Sequence, residues 1–335
     1  MNNLFIQLQE MVFIKDIKAA KSFFELNNLK DYIYSNELSF EEWFPTLLFA
    51  SMVSDRKLLE DIICLIRERD LVDFEECVFN HQNAFFLFLK GDIDAAIDSM
   101  HKSINYLNNH REKIIINEKN YGRDYKAMVY NSLGFIFWKK KKFYEARHYV
   151  KLAADIFGYK TKNIRREHGS LLLLSSIEMT LANYSSARQH LRKIERKTIT
   201  DISSSINNSL IYLYYLEENY KESTRRIEKF KKIIKSHSIH VQFNYYVKSA
   251  LVYFAQKEFQ LASEYVKDAF LLPDIDNIFY ENEGQNYKSF YEIITTENPS
   301  SNDISTLNNE IIPFFIDNGL INYVVLAMKY LERVR

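Results

Sequence analysis

Few residues in this chain are spaced for bond chemistry. His237 and His240 lie three apart, close enough to share a helical face, but no third ligand follows at metal-site spacing. No metal or cofactor is therefore expected. The HExxH, GxSxG, GxGxxG and GxxxxGK[ST] patterns are absent. Glu217 and Glu218 read as solvated residues of a turn, and nothing pairs a nucleophile with a base. Cys64 and Cys77 lack CxxC spacing and read as two reduced, buried thiols. No catalytic residue is expected, and the chain does not read as an enzyme.

The residues that do suggest a task are amides and aromatics suited to recognition. Asn131, Asn208 and Asn244 recur along the chain, and Gln82 precedes them. An amide side chain offers both a donor and an acceptor, so it can pair with both backbone groups of an extended peptide. Phe135, Trp138 and Tyr212 lie one or two helical turns beyond an Asn, and Lys248 follows Asn244 by four. Such residues would supply side-chain pockets and a charge.

The elements that must position these residues read as helices. The chain has only 7 Gly and 4 Pro in 335 residues. Average usage would give roughly three times the Gly and four times the Pro. Few tight turns and few strained loops are expected, with long helices joined by short polar connections. Apolar residues make up 47% of the chain, enough for a sizeable core, and no run approaches the length of a membrane span. The start, MNNLFIQLQEMVFIKDIKAAK, has no basic leader with an apolar run behind it. These features imply a soluble, cytoplasmic protein with no membrane partner.

The clearest unit is Ala127 to Gly158, AMVYNSLGFIFWKKKKFYEARHYVKLAADIFG. Two apolar stripes at helical spacing flank a lysine cluster that marks a turn. Gly134 in the first stripe and Ala146 in the second stand twelve residues apart, so two antiparallel helices can approach closely. The same spacing returns in Ala84/Ala96, Ser175/Ala187 and Ala250/Ala262. It returns also in Ile211/Ser223, where both small residues are lost. The 25 Phe and 23 Tyr fall largely on core positions of these units.

These stretches resemble the tetratricopeptide repeat, whose first helix carries Leu-Gly and whose second carries Ala. The resemblance covers about residues 80–275 and implies an all-α fold, a right-handed TPR-like α-solenoid. The second-helix anchors at 96, 146, 187, 223 and 262 are spaced more widely than the ideal repeat of about 34 residues, notably across 107–126. Residues 1–70 read as a short N-terminal region of three or four helices, with a capping box at Ser39–Glu42 and Pro45 delaying or kinking its helix. The repeat domain then occupies 71–335. ENPSSND at 297–303 reads as a loop, and capping helices at 304–335 follow, with Gly319 ending the first of them.

In such a solenoid the first helix of each pair lines a concave face. There it would present Gln82, Asn131, Phe135 and Trp138, then Asn208, Tyr212, Asn244 and Lys248. A helical N-terminal region followed by divergent repeats with Asn on their first helices resembles the bacterial peptide-pheromone receptors of the Rap, NprR, PlcR, PrgX and AimR group. The segment LKDYIYSNELSFEEWFPTLLFASMVSDRKLLEDIICLIRE resembles the junction between N-terminal domain and repeats in AimR-type receptors. The resemblance implies a cytoplasmic regulator that binds a short signalling peptide through its concave Asn residues and controls a protein or DNA target.

Two features set the chain apart from that group. No recognition helix is visible, and residues 1–100 hold 18 Asp/Glu against 9 Lys/Arg, a charge that repels phosphate backbones. Rap-type phosphatases carry a catalytic Gln in their N-terminal bundle; Gln7 and Gln9 occur here without a motif that transfers the role. Residues 101–235 hold 28 Lys/Arg against 13 Asp/Glu. The basic residues within 139–235 would meet an anionic partner, DNA, or the acidic end of a second copy in a homodimer. A constitutive TPR scaffold and a Rap-type phosphatase regulator are the competing readings.

Overall fold

The computed structural model describes residues 2–35, 37–53, 55–110, 114–116, 119–196, 203–273, 275, 283–317 and 321–334. Contacts divide the chain into two compact units, Met1–Leu174 and Ser175–Arg335. The expected division near residue 70 is not where the packing parts, because the N-terminal helices pack directly on the first repeat hairpin.

The first unit opens with five helices rather than three or four: α1 (Asn2–Phe13), α2 (Ile17–Leu26), α3 (Leu29–Ser35), α4 (Phe40–Val53) and α5 (Arg56–Arg67). Helix α4 starts at Phe40 and runs through Pro45. The Ser39 backbone N–H donates to the Glu42 carboxylate at 3.0 Å, one half of the expected capping box. Two hairpins follow, α6 (Phe74–Leu89) with α7 (Ile93–Asn109) and α8 (Gly122–Lys139) with α9 (Phe143–Asp155). Helices α4 and α5 both pack on α6. A two-residue antiparallel bridge, Ile115–Ile116 with Lys119–Asn120, lies in the connection between the hairpins. A wide π turn, Ile156–Thr161, extends α9 and leads to α10 (Ile164–Thr180), within which the first unit ends.

The second unit holds α11 (Tyr184–Glu195) and two more hairpins, α12 (Ser203–Leu216) with α13 (Tyr220–Lys231) and α14 (Ile239–Ala255) with α15 (Phe259–Phe270). It closes with α16 (Glu283–Ile294), α17 (Ser301–Thr306), α18 (Ile312–Asp317) and α19 (Ile321–Val334). The expected loop at 297–303 is shorter, because Ser300 and Asp303 form a reciprocal capping box that starts α17 at Ser301. Gly319 lies outside the described residues.

The twelve-residue pairs hold as read. All ten members, from Ala84 and Ala96 to Ala250 and Ala262, are buried. A methyl group added at Gly134 would overlap Val150 Cγ2 and come within 3.1 Å of the Ala146 carbonyl oxygen, so only glycine permits that helix spacing. In the degenerate fourth unit Ser223 donates its hydroxyl to the Ile211 carbonyl at 3.1 Å, turning a small-residue contact into a hydrogen bond across the hairpin.

The turns differ from the expectation of unstrained loops. Each of these four hairpins, and the α10–α11 connection, turns through one left-handed residue: Gly91 (φ 87°), Lys141 (64°), Ala182 (58°), Glu218 (58°) and Lys257 (66°). At each turn the next N–H reaches back to the carbonyl five residues earlier, as in Asp92 to Leu87 and Asn219 to Tyr214. These are Schellman closures that satisfy carbonyls left open at the helix end. Only one uses glycine; the other four accept the steric cost of a Cβ there. The left-handed residue always sits seven after the first small residue and five before the second, which is why twelve recurs.

Candidate functional site

The candidate residues of the first unit part into two groups. Gln82 on α6 is buried, at 2% exposure. Its amide nitrogen donates to His81 Nδ1 at 2.9 Å, and its carbonyl oxygen accepts from Ser51 Oγ on α4. Tyr125 OH also meets His81 Nδ1, at 3.1 Å, while His81 Nε2 faces Ser132 Oγ at 3.1 Å. With two donors on Nδ1, the ring proton belongs on Nε2. Burial pushes the His81 pKa down to about 3, so the ring is neutral. Gln82 therefore does not line an open face; it links α4 and α6 from inside, because the N-terminal helices cover that side of α6.

Asn131, Phe135 and Trp138 on α8 are half-buried. Asn131 Oδ1 accepts from Ser170 Oγ at 2.8 Å. Phe135 packs edge-on against Phe88 at 5.5 Å and beside Trp138 at 6.0 Å, with the Lys139 ammonium 5.3 Å from the Trp138 ring centre. This is an aromatic ledge with a cation at its rim.

In the second unit Asn208 on α12 is also turned inward, at 4% exposure. Its Nδ2 donates to the Val241 carbonyl at the start of α14, at 2.9 Å, while its Oδ1 has no hydrogen-bond partner among the described residues. It fastens α12 to α14 and is not a free peptide clamp. Asn244 is exposed, and its Nδ2 donates to its own helix at His240 O, 2.9 Å away.

Tyr212 and Lys248 are half-buried and meet across α12 and α14, with Lys248 Nζ 5.5 Å from the Tyr212 ring centre. Tyr215, one turn on, lies nearly parallel to Tyr212 at 6.0 Å. Burial holds both phenol pKa values well above their usual range and lowers Lys248 to about 8. In the same core cluster Tyr291, itself buried, donates its hydroxyl to that of Tyr323 at 3.4 Å. The i, i+3 pair Tyr212/Tyr215 was a usable signal in sequence; Tyr291 and Tyr323 lie on helices beyond the repeats and gave none.

The remaining candidates show no assembled chemistry. Among the described residues no group of three His, Cys, Asp or Glu side chains could hold a metal ion. His237 faces Ser204 Oγ at 3.1 Å, while His240 lies on α14. Cys77 is buried as expected, but Cys64 is exposed, because α5 turns that face outward. Gln7 is exposed on α1. Among the described residues no helix is long and apolar enough to cross a membrane. In the basic stretch, Arg188 pairs with Glu217, and Arg226 lies 3.1 Å from Glu195, which neutralises part of that charge.

Solved structures match along nearly the whole chain. The apo form of the quorum sensor NprR from B. thuringiensis is 13% identical, covering 99% of this chain and 94% of its own, with a TM-score of 0.66. NprR in complex with its cognate peptide NprX is 12% identical, with coverages of 99% and 96% and a TM-score of 0.64. A Rap protein complexed with competence and sporulation factor is 13% identical, with coverages of 99% and 95% and a TM-score of 0.64. This chain has the fold of the Rap and NprR proteins. It is an all-α, TPR-like helical repeat, as its hairpins imply. No family model matches the chain, and no curated protein matches it in sequence.

Proposed function

We propose that this chain is a cytoplasmic regulatory receptor that takes a short signalling peptide on the first helices of its hairpins and so controls a protein or DNA target. The observation that carries the reading is chemical segregation within the hairpins. Helices α12 and α14 hold, besides His240, a single charged side chain, Lys248, and present half-buried aromatic rings. The hairpin partner of α12, α13 with sequence YKESTRRIEKFK, alternates charges along its length. A neutral, aromatic, partly open face suits an extended peptide, whose backbone is polar but uncharged. The fold shared with NprR and a Rap protein, each solved with a peptide, supports the same reading.

Exposure decides which of the expected residues we assign to the peptide. Phe135, Trp138 and Asn131 in the first unit and Tyr212, Asn244 and Lys248 in the second have surface to offer; Gln82 and Asn208 brace helices. The basic second helices, including Arg192, Lys193, Lys229 and Lys231, would supply the surface for an anionic target or a second copy.

Isothermal titration of the full chain against short peptides encoded beside its gene tests the proposal. Micromolar or tighter binding that weakens at least tenfold in Tyr212→Ala is expected. Binding that survives Tyr212→Ala unchanged would overturn the face assigned in the second unit, and binding that survives Phe135→Ala the one assigned in the first. Steeply salt-dependent retention of DNA would make DNA the target; constant association with one protein regardless of peptide would favour a scaffold.

A further inference from the structure

The deepest unexplained charge on the second unit's first helices is Lys248, and the inference here rests on the peptide-receptor reading above. Its ammonium is half-buried beside Tyr212 and forms no hydrogen bond or ion pair among the described residues. Nothing nearby in sequence offsets it: α12 and α14 together contain no Asp or Glu. The cations on neighbouring helices are treated differently. Arg188 reaches Glu217, Arg225 reaches Glu222 at 2.5 Å, and Arg226 reaches Glu195 and Glu222. A partly buried cation without an anion is costly unless something else brings the anion.

The surroundings define that anion. Tyr212 offers its ring face to the ammonium, which leaves the remaining N–H donors of Lys248 for an oxygen acceptor. Tyr212 lies beside the ammonium and Tyr215 stacks on Tyr212, so the part of the ligand next to its anion is apolar. We propose that Lys248 receives a carboxylate of the bound peptide, with Tyr212 and Tyr215 covering the adjoining apolar residue. A peptide supplies that carboxylate either at its C-terminus or on an Asp or Glu side chain. The arrangement fixes the direction in which an otherwise sequence-tolerant backbone lies, because one end of the site reads charge.

Affinity selection with three pools of random hexapeptides tests this on the full chain and on Lys248→Met. The first pool uses neutral residues with a free C-terminal carboxylate. The second is the same pool as C-terminal amides. The third is amidated but includes Asp and Glu. Retention at least tenfold above the second pool is expected from the first, the third or both, falling about tenfold or more in Lys248→Met and persisting in Lys248→Arg. Preference for the first pool assigns the terminus, and for the third a side chain. The pool comparison on the unaltered chain needs no variant to fold. Equal retention from all three pools, or retention unchanged in a folded Lys248→Met, overturns the carboxylate role and leaves the receptor reading standing. No retention from any pool overturns the receptor reading and this proposal with it.

Discussion

The two compact units fill their interiors differently. In Met1–Leu174 many buried polar groups serve one another, although Asn83 Oδ1 and Asp124 Oδ2 find no hydrogen-bond partner among the described residues. Gln82, His81, Tyr125 and Ser132 form a chain of contacts, and Asp124 accepts from Asn163 and Thr161 at 2.8 and 3.0 Å. Arg166 donates to the carbonyls of Val12 and Phe13, and Asn163 reaches the same Phe13 oxygen at 2.9 Å, so α10 closes the open end of α1. In Ser175–Arg335 the core is filled instead with tyrosines, and Asn208 Oδ1 and the Lys248 ammonium are left without polar partners among the described residues. Networks lock one arrangement of helices, whereas a half-exposed cation without an anion marks where a ligand has something to gain.

Truncating each unit's central cation sharpens that contrast. Arg166→Met strips donors from two helix-end carbonyls and should cost about 3 kcal/mol, with faster amide exchange in α1. Urea unfolding followed by exchange mass spectrometry reads both effects, and unchanged protection of α1 would break the lock assigned to the first unit.

Hairpin packing gives the next largest effect. Gly134→Ala gains about 1 kcal/mol of helix propensity but drives a methyl into Val150 and the Ala146 backbone, where overpacking costs about 1–3 kcal/mol. A net loss is expected, set against a loss of about 1 kcal/mol in Ser223→Ala, which forfeits a buried hydrogen bond rather than adding an atom. Urea midpoints compare the two.

Lys248→Met should run the other way, stabilising the ligand-free chain by about 1–2 kcal/mol at pH 7. The folded pKa of about 8 lies below the unfolded value of 10.5. Between them the unfolded chain holds a proton that the folded chain does not, so stability rises with pH across that window. Lys15, lowered to about 8 by burial and by Arg166, adds the same slope from the first unit. The difference between wild type and Lys248→Met isolates the second. His81, at about 3 folded against 6.5 unfolded, makes stability fall as pH drops below 6.5. A urea series from pH 4 to 10 that lacks the acid fall, or an alkaline rise unaffected by Lys248→Met, would contradict the split.

The turns give the smallest effect. Glu218→Gly should gain about 1 kcal/mol by relieving the left-handed backbone, and Gly91→Ala should lose a similar amount. Equal melting temperatures for wild type and both variants would remove the strain argument.

The hairpins were legible because a small residue every twelve positions is a direct imprint of helix contact. The strained turns were not, because a left-handed Lys, Ala or Glu looks like any other polar turn residue in sequence. The site was half legible. A polar residue on a first helix faces outward or inward according to which neighbour covers it, and sequence does not name that neighbour. Asn131 and Gln82 looked alike; α4 against α6 made the difference. The bracing role of Arg166 was hidden for the same reason, since its acceptors lie about 150 positions away.

The fixed placement of the left-handed residue makes each hairpin a calibrated length. Adding one residue to a turn breaks the Schellman closure that ends the first helix, and so displaces the second helix's apolar stripe from its partner. The segments between hairpins face no such gauge, and they are where the anchor spacing varies. Tags, labels or grafted segments placed at exposed positions between hairpins, as at Lys235–Ser236, should leave folding intact, while a single added alanine at Lys141 or Glu218 should not.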